Sequence, residues 1–454
     1  MGRVEIKNIE LGITANGFRN VLVKRFLSPF KKFSGFLQKS QWWSGERIEE
    51  YQLERLKKIL KVAYEHTPYY RGLMEVYDVN PYSITSFEDI ARLPLLEKED
   101  IRLHHHEMIS DAKFYSMLYK CHTSGTSGKP LTLYRDLENV GFEHALLMRQ
   151  WQWAGLKPND RYVSIKGDLI SEDKTDSGIF WNFSIAENKL YMSSYHLSEK
   201  NADHYVRALQ KYSPAAIEGY PSSVSALAKF VRDRGIRIPM KAVLTTSETL
   251  SPEQRSLMES AFHCRVYDYY GMAERVAAIH TCEEGSYHLI PEYSYVEFVE
   301  KDYLSDGYCE LVGTSLNNKA MPVIRYRMSD VVKPGEGYCA CGREFPVIES
   351  IAGRQDDYIV TPSGKLIGRL DHVFKGAENL VEAQLYQPDR ENLVLRLVPD
   401  KYYDAARDGK MILAKLKQRL GEAMNLEIEN VASIPRGGRG KFKAVISKVN
   451  GFAY

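Results

Sequence analysis

Thr123-Ser124-Gly125-Thr126-Ser127-Gly128-Lys129-Pro130 is the most informative stretch of this 454-residue chain. Its two glycines let the backbone turn tightly and approach a ligand, four hydroxyls and several N–H groups are aimed donors for phosphate oxygens, and Lys129 adds a point charge. The run therefore reads as a polyphosphate cradle. It is not the common nucleotide P-loop, which needs four residues between its glycines and a hydroxyl after the lysine; here there are two, and Pro130 follows. Taken alone, the same run also suits a Ser/Thr/Gly-rich surface loop.

The pattern differs on the two sides of this stretch. Upstream, Ile48, Tyr51, Leu53, Leu56, Ile59, Leu60 and Ala63 repeat with a period near 3.6 until Pro68, which predicts helices joined by short connections over 46–110. Downstream, short β-branched or aromatic runs (162–165, 215–218, 242–245, 265–268) alternate with helical patterns at 200–212, 222–235 and 251–262. That alternation predicts α/β layers. After residue 353 the composition resets, with a strand-like run at 393–398 and a helical pattern over 403–423, and a small α+β domain is expected there.

Composition bounds the class. Sixty-one Lys and Arg balance 59 Asp and Glu for a formal net charge of +2, which predicts no nucleic-acid or other polyanion partner. Six cysteines are sparse for this length, so a reduced cytoplasmic setting is expected, and no apolar run approaches the roughly 18 residues of a membrane helix. Residues 1–40 carry eight basic side chains and two acids, with Phe18, Val21, Leu22, Phe26, Phe30 and Phe33 at roughly helical intervals. Such a basic amphipathic arm either packs on the body or makes a peripheral membrane or protein contact.

Further runs turn the loop into a resemblance. Thr123 to Pro130 resembles the phosphate loop of adenylate-forming enzymes, the acyl-CoA synthetase and luciferase superfamily. Asp268-Tyr269-Tyr270-Gly271-Met272-Ala273-Glu274 is similar to that superfamily's adenine and magnesium motif, and Arg325-Tyr326-Arg327-Met328-Ser329-Asp330 to its ribose motif. Gly353-Arg354-Gln355-Asp356-Asp357 is similar to its hinge, and Gly440-Lys441 to its carboxy-terminal lysine motif. The runs 93–100 and 339–343 resemble the phenylacetate:CoA ligase branch, and 368–376 resembles CapK-type relatives associated with capsular polysaccharide synthesis.

The resemblance implies a large layered α/β adenylation domain over 46–353, a small mobile α+β domain over 357–454 with its hinge near Asp356, and a basic arm over 1–45. It implies ATP and Mg2+ as cofactors. Thr123, Ser124, Gly125, Thr126, Ser127 and Gly128 would cradle the phosphates beside Lys129, Tyr270 would stack on adenine between Tyr269 and Gly271, and Asp268, Ser247 and Glu248 would lie along the adenine edge. Asp330 would accept the ribose hydroxyls, Glu274 would hold Mg2+, and Arg354 would stand beside the hinge. Lys441 would meet the carboxylate and α-phosphate as charge develops. The implied reaction joins a small carboxylate to AMP with loss of pyrophosphate and then transfers the acyl group, the small domain rotating between halves.

Two departures from the pattern matter, the second of them for acyl transfer. Ala273 stands where many relatives have Ser or Thr. The run 361–368 does not resemble the segment bordering the thiol channel, so the acceptor stays open between CoA or another thiol and an amine or sugar in surface polysaccharide assembly. A non-catalytic nucleotide-binding scaffold is the reading from another class. Tyr220, Pro221 and 166–182 with Trp181 either line the acyl pocket or belong to the core. If Glu274 and Asp330 meet at one nucleotide, Cys282 and His288 come close to Cys339 and Cys341, a donor set suited to a tetrahedral structural Zn2+; buried free cysteines are the alternative.

Overall fold

The computed structural model describes residues 29–112, 118–122, 131–166, 178–302, 304, 307–354, 359–362, 366–367, 370, 373, 380–399, 402–436 and 442–449. Thr123–Lys129, Asp356 and Lys441, together with the side chain of Arg354, lie outside the described residues.

Helix α1 (Phe30–Ser40) is followed by α2 (Gly45–His66), whose first turn is capped where Ser44 Oγ accepts the Arg47 N–H. The periodic residues Ile48, Leu56, Ile59, Leu60 and Ala63 are all buried, and the helix stops one residue before Pro68 opens α3 (Pro68–Val76). A short α4 (Lys98–His104) then leads to a hairpin of β1 (Tyr119–His122) and β2 (Thr132–Arg135), which frames the phosphate-loop candidate. Helix α5 (Leu137–Trp153) follows.

On α1 the sequence alternatives resolve toward packing. Phe30 lies 4.9 Å from the His144 ring and Phe33 5.1 Å from Phe142, while Leu37 is fully buried and Lys31 and Lys32 point to solvent. The apolar face of residues 30–40 thus packs against α5, in line with the packed alternative for this part of the arm; residues 1–28 lie outside the described set. Among the described residues no helix is long and apolar enough to cross a membrane.

The large domain is built on a twelve-stranded sheet. Its strands are β3 (Tyr162–Lys166), β4 (Trp181–Ser184), β5 (Lys189–Ser193), β6 (Ala216–Gly219), β7 (Ala242–Thr246), β8 (Arg265–Gly271), β9 (Ala278–Thr281), β10 (Tyr287–Leu289), β11 (Ser294–Glu300), β12 (Cys309–Ser315), β13 (Tyr326–Pro334) and β14 (Val347–Arg354), in the order β11-β12-β13-β14-β10-β9-β8-β7-β6-β3-β5-β4. Strands β5, β3, β6, β7 and β8 run parallel, joined through α6 (Ala202–Tyr212), α7 (Pro221–Asp233) and α8 (Pro252–Phe262), as the alternating pattern predicts. From β8 onward every pairing is antiparallel. Periodicity did not foretell this half, because strands packed on both faces lose the period-two signal: all seven residues of β12 are buried.

Beyond Arg354 a small pair, β15 (Ile359–Val360) and β16 (Leu366–Ile367), precedes a four-stranded sheet. This sheet contains β17 (Leu380–Gln387), β18 (Asn392–Pro399), β19 (Asn425–Asn430) and β20 (Val445–Ser447) in the order β19-β18-β17-β20. Helix α9 (Lys410–Leu420) buries Ile412, Leu416 and Leu420 against Leu385, Leu393, Leu395 and Leu397. The layered large domain and the small α+β domain expected from the sequence are both present. The helix starts later than the hydrophobic pattern indicates, since a turn of π-helix capped by Asp404 occupies Ala405–Gly409.

Candidate active site

In an open parallel sheet, ligands sit beyond the carboxyl ends of the strands. Here those ends carry Tyr220 after β6, Ser247 and Glu248 after β7, and Tyr269 to Gly271 at the end of β8. Because β7 and β8 pair with Thr245 opposite Asp268 and Thr246 opposite Tyr269, these two sequence motifs are adjacent in the sheet.

Alternation along β8 sends Asp268 and Tyr270 to one face and Tyr269 to the other. The Asp268 carboxylate accepts the Thr245 hydroxyl at 2.6 Å and the Tyr287 phenol at 2.9 Å. Burial raises its carboxyl above the ordinary range, and these two donors work against the rise. Tyr270 reaches across to β13, where its hydroxyl donates to Asp330 Oδ2 at 2.9 Å. Tyr269 instead donates to Glu143 Oε1 at 2.7 Å, beneath the sheet. Gly271 is required by this packing, since an added Cβ would lie 2.3 Å from the Tyr269 hydroxyl.

Glu274 is largely buried and accepts the Tyr326 hydroxyl at 3.3 Å. Tyr326 and Asp330 both lie on β13, so the two acidic candidates, 56 residues apart in the chain, are tied to one strand through Tyr326 and Tyr270. The arginines of that motif have other work. Arg325 donates to both oxygens of Glu297, at 3.0 and 2.8 Å, and Arg327 grips Glu310 at 2.9 and 3.0 Å. The stretch resembling the phenylacetate ligases, 93–100, is stitched to the ribose-motif candidate: Leu96 N–H donates to the Arg325 carbonyl and Arg327 N–H to the Leu96 carbonyl.

Four residues flanking the candidates hold left-handed backbone without being glycine: Ser247 at φ 72°, Arg275 at 58°, Arg325 at 51° and Ser329 at 57°. Such conformations persist only where surrounding contacts over-determine them. For Arg275 the contacts are plain. Its Nη1 donates to the Asn139 carbonyl at 2.9 Å, its Nε stands 3.8 Å from Glu143, and Arg135 donates to the carbonyl of Ala273. Glu143 also accepts from the Tyr293 phenol. Burial alone would raise the Glu143 carboxyl, but Arg275, the two phenols and Arg135 outweigh it and hold it below the ordinary range.

This buried network was missed at the level of sequence. Its members come from β2, α5, β8, the Glu274 loop and the stretch before β11, and of these side chains only that of Tyr269 falls in a run that the sequence singles out.

Glu248 lies at the join between the domains. Its carboxylate accepts the Ser222 N–H at 3.1 Å and the Phe442 N–H at 2.7 Å, and burial raises its carboxyl. Phe442 is the residue after Lys441. Tyr220 is buried just after β6, and Trp181 packs, partly buried, on the apolar cluster around Tyr205.

The cysteine expectation finds geometric support. Cys282 Sγ lies 3.7 Å from Cys339 Sγ, Cys341 Sγ lies 3.5 Å from His288 Nε2, and all four donor atoms fall within 4.8 Å of one another. A tetrahedral centre with metal–sulfur bonds near 2.3 Å requires S···S edges of about 3.8 Å. His288 Nδ1–H donates to the Phe345 carbonyl at 3.3 Å, which leaves Nε2 as the ligand atom. Burial pushes the Cys282 thiol up to about 12, so a protonated apo cluster is the alternative to a metal-bound one.

Residues 359–448 match the CapK C-terminal domain family. Over 88% of its length the chain is 25% identical to Protein CapK of Staphylococcus aureus, covering 89% of that protein. It is 23% identical to phenylacetate-coenzyme A ligase of Thermus thermophilus, covering 88% of this chain and 96% of the relative. Its fold is similar to that of 2-hydroxyisobutyryl-CoA ligase in the postadenylation state in complex with R3-HIB-AMP, with a TM-score of 0.67 at 20% identity over 90% of this chain and 93% of that one. Over most of its length the chain is thus similar to Protein CapK and to the phenylacetate-coenzyme A ligases, and its residues 359–448 match the CapK C-terminal domain family.

Proposed function

We propose that this protein is an ATP-dependent ligase that activates a small carboxylic acid as its acyl-adenylate and passes the acyl group to the thiol of CoA or of a carrier. The observation that carries the reading is the meeting of Tyr270, Asp330, Tyr326 and Glu274 beside the ends of β7 and β8, with the residue after Lys441 docked against Glu248. Relatives named as phenylacetate-coenzyme A ligases support the same chemistry.

In the first half, a carboxylate oxygen of the acid attacks the α-phosphorus of ATP, and the bond to the β-phosphate oxygen breaks as pyrophosphate leaves. Asp330, oriented by Tyr270, accepts the ribose hydroxyls, and Tyr270 offers its ring to adenine. The residues 123–129 hold the β- and γ-phosphates, and Lys441 stabilises charge developing at the α-phosphate. Glu274 is suited to hold Mg2+, a hard cation that takes carboxylate and phosphate oxygens and would neutralise phosphate charge. In the second half a thiol attacks the acyl carbon, loses its proton and releases AMP, with Asp356 and Arg354 at the joint about which the small domain turns. Cys282, His288, Cys339 and Cys341 hold a structural Zn2+.

The match of residues 359–448 to the CapK C-terminal domain favours a second reading, transfer to an amine or sugar acceptor in surface polysaccharide assembly. Carboxylate-dependent ATP–pyrophosphate exchange over a panel of aryl, fatty, amino and uronic acids tests the first half. Single-turnover transfer to CoA, amines and sugars then separates the acceptors. Exchange with none of the acids would leave a nucleotide-binding scaffold.

A further inference from the structure

Glu248 sits immediately after the left-handed Ser247, and its two oxygens are committed to backbone donors from different domains. Oε2 accepts the N–H of Ser222 in the first turn of α7, and Oε1 accepts the N–H of Phe442, three residues before β20. The Phe442 segment is in turn fixed within the small domain. The Arg436 guanidinium lies 5.0 Å from the Phe442 ring centroid and pairs with Glu382 of β17, and Gln384 Nε2 donates to the Lys443 carbonyl at 2.8 Å.

The geometry points to Glu248 as a positioning residue, a latch that docks the Lys441-bearing segment on the large domain for the first half-reaction. A backbone N–H cannot swing to a new partner by rotating a side chain, so the bond to Phe442 exists in one domain arrangement and is lost when the small domain turns. A charge-assisted bond present in one state only is the differential contact that biases a two-state equilibrium. This docking role goes beyond an adenine-edge contact for Glu248, whose carboxylate already accepts one backbone N–H on each oxygen. The inference rests on the ligase reading for its kinetic consequence, and on geometry alone for the docking itself.

The test compares Glu248→Ala, which removes the acceptor, with Glu248→Gln, which keeps one. In the full-length protein, hydrogen–deuterium exchange of a peptide spanning Phe442 should accelerate roughly tenfold or more in the alanine variant and far less in the glutamine variant. Carboxylate-dependent pyrophosphate exchange should fall by a similar factor in the alanine variant, while transfer from supplied acyl-AMP, KM for ATP and preference for ATP over GTP stay within about twofold, and glutamine should rescue most of the loss. A raised KM and lost ATP preference with unchanged exchange at Phe442 would overturn the latch and make Glu248 a nucleotide contact. Should the alanine variant misfold, Phe442→Pro deletes the donor from the other domain and must produce the same split; unimpaired pyrophosphate exchange in that variant would also overturn the proposal. The amide readout requires no catalysis, so an absent ligase activity is told apart from an absent latch.

Discussion

The Tyr270 hydroxyl donates to Asp330 Oδ2 at 2.9 Å, tying the last strand of the parallel half of the sheet to β13 in its antiparallel half. Sixty residues separate the two in sequence. The bond sets the carboxylate in one orientation and places an aromatic ring beside it, an arrangement suited to a nucleoside. Tyr270→Phe should raise KM for ATP several-fold in pyrophosphate exchange with a smaller effect on kcat. It should also cost about 1–2 kcal/mol in stability. Asp330→Ala should raise KM further; an unchanged KM in both variants would remove them from the nucleotide site.

Glu143 makes a pH-dependent contribution whose sign follows from its environment. Its folded carboxyl titrates below the ordinary range, so the unfolded chain binds the proton more readily. The contribution is fully present above the unfolded value of about 4.3 and is lost as pH falls through the folded value. Glu143→Gln should therefore destabilise the protein by about 3 kcal/mol at pH 7, because Arg275 keeps a buried charge with a weakened partner. In urea titrations the gap between wild type and variant should narrow below about pH 4; a gap that is constant or widens there contradicts this account.

For the cysteine cluster, elemental analysis of protein purified without chelator should return close to one zinc per chain. Cys339→Ser should lower both the metal content and the melting temperature, and a strong chelator should reproduce that drop in wild type. Less than stoichiometric zinc, with a melting temperature indifferent to chelator, would leave three reduced cysteines and a histidine with no metal.

Lys441→Ala should abolish carboxylate-dependent pyrophosphate exchange while sparing transfer from supplied acyl-AMP, because the lysine is required only where charge develops at the α-phosphate. Equal loss of both half-reactions sinks the assignment of Lys441 to the first half alone.

Much of the parallel half was legible in the chain. The strands at 162–166, 216–219, 242–246 and 265–271 and the helices between them follow from local periodicity, since each helix buries one stripe and each strand is a short apolar run between turns. The antiparallel half was not legible, because strands such as β12 are buried on both faces and carry no alternation. Of the candidate site, Tyr270, Glu274 and Asp330 were named from motif resemblance, yet Tyr326 was quoted within the ribose motif without a role, and Arg135, Glu143 and Arg275 went unremarked. Each of these resembles an ordinary surface or core residue until its distant partner is known.

Motif order along 121–441 carried the resemblance to adenylate-forming enzymes and the expectation of a large layered domain and a small one, because glycines, hydroxyls and acids at fixed local spacings are legible within a few residues. Contacts that depend on distance across the fold were decided only by its folding. The sheet register brought Asp268 against Thr245 and Tyr287, the antiparallel strands brought Cys282 and His288 within reach of Cys339 and Cys341, and domain docking placed the Phe442 N–H on Glu248. Local spacing specifies which groups are available, and long-range packing, summed over contacts between segments far apart in the chain, specifies which of them meet.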